Sequence, residues 1–469
     1  MEKNNILWIM TDQHRFDALS CTGGVEGLTP NLDKLAQDGV LFENCYTPSP
    51  VCGPARTALK SGRFPAACGA VKNWVDSHSP DWLPQRLQKV GYHTGMAGKL
   101  HICPVEGEYG FDWRALSDAP YSVYSDDPDH SKYIEWLRKE MPECDPVDLF
   151  NKDESAYDSN LYQFCAGSGF RTLDQHETKW TADQFFEYLE QREKQKPFFF
   201  FLSYFGPHHP YLAPEPYDKW INPEDITLPE SYYKDLMAGN PVFEKTARIL
   251  REKVKKELTE QQVKELVAQY YGQVRMLDES IGQVIQQLKQ QNLYEKTTII
   301  FTTDHGDHLG EYGLFFKSQM YDSCCKIPLI IKPAGKSPVY RSKQVVNSLD
   351  LYGTILDLAG DTQWRMPDVE AGSLMELLKS DSCDQKGEAY SIFGGDRDKA
   401  LTMLRKGEWK LIRLAEGSKT EAVYELYNME KDIHEVNNLY PQYQDTEICQ
   451  KLKRQLDDWF AVQYDRYPQ

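Results

Sequence analysis

Cys52 heads the stretch Pro50-Val51-Cys52-Gly53-Pro54-Ala55-Arg56-Thr57-Ala58-Leu59-Lys60-Ser61-Gly62. Pro54 suits the first turn of a helix, where a missing N–H costs nothing. Ala55 to Ser61 are mostly good helix formers, and Gly62 is a natural residue just past a helix C-terminus. The spacing therefore predicts Cys52 at or just before a helix N-terminus, where free N–H groups and the positive end of the dipole favour an anion. Arg56 stands about one turn on and can point back at the same spot. A sulfur so placed beside a guanidinium should be reactive and anion-facing.

Four other polar clusters each follow a compact apolar run directly. Asp12-Gln13 follows Ile6 to Met10, and Lys99 and His101 follow Tyr92 to Ala97. His208-His209 follows Pro197 to Tyr204, and Asp304-His305 follows Thr297 to Thr303. Asp12, Gln13, Asp304 and His305 together offer carboxylate and amide oxygens and one imidazole, a set suited to a hard divalent cation. Either Asp alone would most often cap a loop; it is the combination with Cys52 that favours a metal. Lys99 and His101 are two apart, so in an extended chain they face the same side. Lys317 ends the run Gly313-Leu314-Phe315-Phe316-Lys317, which predicts a partly buried stem. His14, Arg15, Asp307 and His308 adjoin these clusters and are given no role.

Apolar runs buried on both faces read as strands of a parallel sheet. Helices are predicted between them: from Pro30 with Thr29 as N-cap, over Pro84 to Val90, over Thr181 to Lys194, and from a capping box at Thr259 and Gln262 to about Gln291. Strand–helix alternation through residue 330 or so predicts an α/β, doubly wound, mostly parallel sheet, in which ligands bind beyond the carboxyl ends of the strands. One crevice could then gather every cluster named above. Residues 103–175 read as an irregular, acidic and aromatic insertion that forms part of a substrate pocket. After about residue 385 short alternating segments predict a small antiparallel sheet and then a helix from about Thr446 to Val462. The expected division is a catalytic domain over 1–384 and a C-terminal subdomain over 385–469.

The formal net charge of −18, from 71 acidic and 53 basic residues, disfavours nucleic acid as a partner. An acidic chain that handles an anionic ester must concentrate its cations locally. Eleven cysteines at irregular spacing read as reduced, intracellular usage. The opening Met1-Glu2-Lys3-Asn4-Asn5 lacks a signal-peptide pattern, and no apolar run has transmembrane length, so the expectation is a cytoplasmic protein of bacterial type with no membrane contact. Oligomeric state is not legible.

The Cys52 stretch resembles the signature of the type I, formylglycine-dependent sulfatases, C-x-P-x-R-x-x-L-x-S/T-G, with every specified position present at Cys52, Pro54, Arg56, Leu59, Ser61 and Gly62. C-x-P-x-R alone arises by chance in roughly a few per cent of chains this long, so the surrounding clusters carry weight. The resemblance implies an alkaline-phosphatase-like α/β/α sandwich, and it extends to Glu425-Leu426-Tyr427-Asn428-Met429-Glu430-Lys431-Asp432 in the C-terminal subdomain.

The resemblance further implies that a maturase converts Cys52 to formylglycine, whose hydrate is the nucleophile. One divalent cation would be bound by Asp12, Gln13, Cys52, Asp304 and His305, with Ca2+ the first choice and Mg2+ or Mn2+ as alternatives. Gln13 stands where many members have a second Asp, which removes one negative charge. Arg56 would help hold the nucleophile. Lys99 and Lys317 would neutralise the sulfate oxygens, and His208, with Lys317, would protonate the leaving alcohol. His101 would act as the base that expels sulfate. The implied substrate is a sulfated small molecule or saccharide. The rival readings are a phosphonate or phosphate diester hydrolase of the same fold and a non-catalytic sulfated-glycan-binding relative. The diester hydrolases carry neutral hydroxyl-bearing residues in place of Lys99 and His101.

Overall fold

The computed structural model describes residues 3–105, 107–118, 131–142, 160–166, 172–234, 236, 239–336, 338–380, 387–395, 397–416 and 422–465. Its central sheet is built from the apolar runs. β1 (Asn5–Thr11), β5 (Phe198–Ser203) and β6 (Thr297–Thr303) are buried at every position, as expected of strands covered on both faces. With β2 (Val40–Tyr46), β3 (His93–Gly98), β4 (Trp113–Leu116), β7 (Lys326–Lys332) and β8 (Tyr340–Asn347) they form eight strands in the order β4-β3-β5-β1-β6-β7-β2-β8. Only β7 runs antiparallel to its neighbours; the other pairs are parallel.

Alternate strand residues feed two cores. Ile6, Trp8, Met10, Phe199 and Phe201 pack on one face with α2 (Cys52–Ser61), α3 (Leu83–Lys89) and α9 (Leu351–Ala359). Leu7, Ile9, Phe198, Phe200 and Leu202 pack on the other with α1 (Pro30–Gln37), α4 (Lys132–Glu140), α6 (Glu177–Gln191) and α8 (Glu260–Gln290). Each such side chain contributes about 1.5–3 kcal/mol of burial. The stripe of α8 is core, with Val274, Leu277, Ile281, Val284 and Leu288 all buried. Thr259 and Gln262 form the expected capping box at its start.

The insertion expected over 103–175 is corrected in part. Trp113–Leu116 is β4, an edge strand of the main sheet, and α4 sends Tyr133, Ile134 and Leu137 into the core. Four residues of strand are too few to show a period against their surroundings. Much of the remaining segment, and the expected boundary at 384/385, lie outside the described residues. A helix the sequence reading passed over, α7 (Pro241–Glu257), follows α5 (Leu161–Ala166) and α6 in the chain and leads into α8.

The second sheet is antiparallel, in the order β12-β11-β10-β9: β9 (Glu388–Phe393), β10 (Leu401–Lys406), β11 (Trp409–Ala415) and β12 (Ala422–Asn428). Cys449, Leu452 and Leu456 of α10 (Glu447–Asp465) cover one face. The other packs on the first sheet, where Met403, Ile412 and Tyr427 meet Tyr46 and Val345.

Candidate active site

The site lies at the carboxyl ends of β1, β3, β5 and β6, facing the N-terminus of α2. Val51 is the N-cap of α2, so Cys52 is its first residue, and Gly62 closes it in the left-handed region at φ 70°. Every residue of α2 is buried. The Gly53 N–H at this end is taken by Asn73 Oδ1 at 2.9 Å. β3 ends at Gly98, with φ 95°; a Cβ there would lie 1.8 Å from the Ser203 carbonyl oxygen, so only glycine lets the chain turn Lys99 into the site.

Cys52 Sγ is buried among charged side chains. It lies 3.0 Å from His305 Nε2, 3.1 Å from Lys317 Nζ and 3.6 Å from Asp12 Oδ1. Asp12, Cys52, Asp304 and His305 are buried, and each offers a ligand atom within 4.8 Å of the others. Two carboxylates, an imidazole and the residue-52 donor at this spacing fit one divalent cation.

Arg56 does not point back at Cys52. Its Nε donates to Asp304 Oδ2 at 2.7 Å and its Nη2 to Asp12 Oδ2 at 3.2 Å, while Nη1 donates to the Lys99 carbonyl and Ser203 Oγ. It clamps the two carboxylates that flank the nucleophile rather than the nucleophile itself. The turn of the helix places its head one layer beneath residue 52, where the buried carboxylates require a cation.

Lys99 Nζ pairs with Asp12 Oδ2 at 2.7 Å. Burial opposes ionisation of Asp12, but Lys99, with Arg56 and Lys317, outweighs it and holds the carboxyl well below its usual range. The Cys52 thiol is likewise lowered: burial and Asp12 push it up, and Lys317, Lys99 and His305 pull it down further. Anionic character is thus favoured at the position that must attack.

Gln13, expected among the cation ligands, presents its Oε1 to Lys317 Nζ at 2.8 Å and its amide nitrogen to Asp307. The amide therefore aims Lys317. Lys317 Nζ also donates to His208 Nε2 at 2.7 Å, and His208 Nδ1 lies 2.6 Å from the His209 carbonyl oxygen. That pattern fixes the tautomer, with the proton on Nδ1 and a lone pair at Nε2 facing the ammonium. His209 stacks on His208, with ring centroids 4.1 Å apart, and stands behind it. His209 Nδ1 in turn lies 3.5 Å from Gln13 Nε2.

His101 reaches the site by a route other than an extended chain. Its φ is 51°, and its ring lies against Trp74 at 4.3 Å. Asp118 imposes this turn by accepting the Leu100 and His101 N–H groups, both at 2.9 Å. Both ring nitrogens of His101 are buried without a hydrogen-bond partner. Burial, then Lys99 and Arg56, hold the ring well below its usual pKa, so it is a neutral base.

Sequence reasoning missed Asn73, Asp118 and Ser203, and it named Asp307 without a role. Asp307 accepts from Tyr211 at 2.5 Å, from Gln13, and from the N–H groups of Leu309 and Phe316. Its place two residues past His305 was the one available signal. Arg15 supports the same loop by donating to the Asp307 and His308 carbonyls. His14 is buried with neither ring nitrogen hydrogen-bonded.

A cation cradle closed by an arginine and flanked by two lysines and two histidines is the apparatus of a metal-assisted hydrolase of oxyanion esters. Comparison with known proteins narrows that class. The family model described as Sulfatase matches residues 4–361, and that of the C-terminal region of N-sulphoglucosamine sulphohydrolase matches residues 310–461. The chain belongs to the sulfatase family, whose members share a metal ion and formylglycine. It is 28% identical to an arylsulfatase of Clostridium perfringens, with 93% of this chain and 90% of that one aligned. It is 26% identical to an N-acetylglucosamine-6-O-sulfatase of Bacteroides thetaiotaomicron, over 94% and 83% of the two chains. In fold it is similar to the phosphonate monoester hydrolase of Agrobacterium radiobacter, with a TM-score of 0.79 at 22% identity over 98% and 96% of the chains.

Proposed function

We propose that this sulfatase hydrolyses a sulfate monoester carried on a saccharide, with residue 52 matured to formylglycine by a separate enzyme and with Ca2+ as the cation. The observation that carries the reading is Lys317 Nζ, which touches Cys52 Sγ, Gln13 Oε1 and His208 Nε2 at once. One ammonium thereby links the nucleophile position to the acid at the leaving group.

Asp12, Asp304, His305 and residue 52, with Gln13 beside them, would hold the cation, which would supply Lewis acidity to the sulfate group. Arg56 keeps both carboxylates aimed, through Nε to Asp304 and Nη2 to Asp12. Lys99 and Lys317 receive the negative sulfate oxygens, whose charge they match without reorganising. The leaving alcohol is protonated at the Lys317–His208 pair, whose hydrogen bond joins Nζ to Nε2. His101, neutral and with both ring nitrogens unpartnered, accepts the proton that regenerates residue 52. A lysine and a base at the end of β3 favour sulfate over a phosphate or phosphonate diester. The N-acetylglucosamine-6-O-sulfatase among the relatives supports a saccharide carrier.

The test is a hydrolysis screen of sulfated mono- and disaccharides against aryl sulfates and phosphate diesters, on protein whose residue 52 has been read by peptide mass spectrometry. Higher kcat/KM on a diester than on every sulfate ester would overturn the reading, as would full activity with an intact thiol. Metal analysis of the same preparation decides between Ca2+, Mg2+ and Mn2+.

A further inference from the structure

A cavity of about 320 Å³ lies beside His208, and His208 and Phe205 form part of its wall. Both residues also touch the catalytic cations. The Phe205 ring centroid is 4.7 Å from Lys99 Nζ and 4.8 Å from the His208 ring, and His208 Nε2 is 2.7 Å from Lys317 Nζ. A sulfate held by the two lysines, with its bridging oxygen toward His208, would have this cavity beside it for the alcohol. The volume is at the small end of ligand pockets and suits one sugar ring.

The lining carries two carboxylates and two imidazoles, those of His176 and His208. Glu177 and Asp218 contribute carboxylates, and the described residues of the lining include no lysine or arginine. Ser117 Oγ, Thr181 Oγ1 and the Phe205 N–H fix the Glu177 carboxylate. Asp218 Oδ1 is a buried acceptor with no hydrogen-bond partner, while its Oδ2 lies 3.6 Å from the exposed Lys219 Nζ. Tyr211 and Gln273 supply an aromatic edge and an amide that is tied to the Pro210 carbonyl.

We infer that this cavity receives the ring of the leaving alcohol, and that Glu177 and Asp218 select a neutral or ammonium-bearing ring over one that carries a second negative group. The inference rests on the sulfate-ester reading above and narrows its substrate class. An anion placed between two carboxylates loses its hydration and meets like charge, whereas an ammonium or hydroxyl satisfies the open Asp218 oxygen.

The experiment measures competitive inhibition of 4-nitrophenyl sulfate hydrolysis by methyl glucosaminide and by methyl glucuronide, beside calorimetric titration of both glycosides into the same protein. The glucosaminide should bind at least about fivefold more tightly. Asp218→Asn should narrow that ratio, and Asp218→Lys should reverse it. Equal affinities, a tighter glucuronide, no binding of the glucosaminide, or an unchanged order in both variants would overturn the inference. Turnover of 4-nitrophenyl sulfate reports on the sulfate-ester reading by itself, and calorimetry reports on the cavity whether or not turnover is seen.

Discussion

At the scale of single residues, the site works by dividing labour among buried charges. Asp304 holds Arg56, offers an oxygen to the cation cradle, and accepts the Gln13 and His305 N–H groups. Asp304→Asn should therefore lose bound metal and lower turnover by at least about a hundredfold while the protein stays folded, as read by metal analysis, kinetics and thermal melting. Unchanged metal content would refute its part in the cradle. His101 separates the two halves of the reaction. His101→Ala should release about one equivalent of alcohol in a rapid burst and then stall, whereas steady turnover in stopped-flow assays would remove it as the second base. His308 is a different case, since Ser323 Oγ is its hydroxyl partner at 2.9 Å and Nε2 is buried and unpartnered. Burial first, then Arg15, lower its pKa from 6.5 to about 3. Between those values the unfolded chain binds the proton and the folded one does not, so stability falls as pH drops from 6.5 toward 3. His308→Gln should flatten that slope in denaturant titrations across this window, and an unchanged slope would place the acid sensitivity elsewhere.

At the scale of elements, α2 carries the nucleophile, and its two ends are fixed by different means. Its N-terminus is held by Asn73 and by the pairings of Cys52, and its C-terminus depends on Gly62. A Cβ at Gly62 would meet the Tyr352 ring at 2.6 Å in a conformation that L residues rarely adopt. Gly62→Ala should destabilise the protein by roughly 2 kcal/mol or more, measured by urea unfolding. A loss below about 0.5 kcal/mol would show that the ring simply moves aside. The end of β3 is organised in a comparable way, with Gly98 permitting the close approach to β5 and Asp118 holding the turn that follows.

At the scale of the whole molecule, the two sheets are joined by a buried ionic cluster remote from the substrate. Lys410 of β11 pairs with Asp322, just before β7, and with Glu435, after β12, each at 2.7 Å. Asp322 Oδ2 also accepts from Tyr46, whose oxygen accepts from Arg405 of β10. Removing the lysine strands two carboxylates in a region closed to water. Lys410→Met should cost roughly 3–5 kcal/mol in chemical denaturation. A change below 1 kcal/mol or so would show that the subdomain is held by its apolar contacts alone.

Most strands of the main sheet and the helix at Cys52 were legible in the sequence, as was the set of polar clusters that follow the strands. Apolar runs buried on both faces and a polar residue directly after each are local signals, readable without knowing what lies opposite. Order among the strands was not readable, because a parallel sheet pairs residues far apart in the chain: Ile6 with both Phe199 and Thr298. Nor was β4, too short to show a period. Tertiary structure alone decided what each charge faces. Arg56 turned from the nucleophile to the carboxylates because two buried anions lay within its reach, and Gln13 turned toward Lys317, the ammonium beside it. His101 came to the site through a left-handed turn that only Asp118, held by the edge strand, makes stable. Such choices depend on burial and on partners from other strands, and a single chain read in order contains neither.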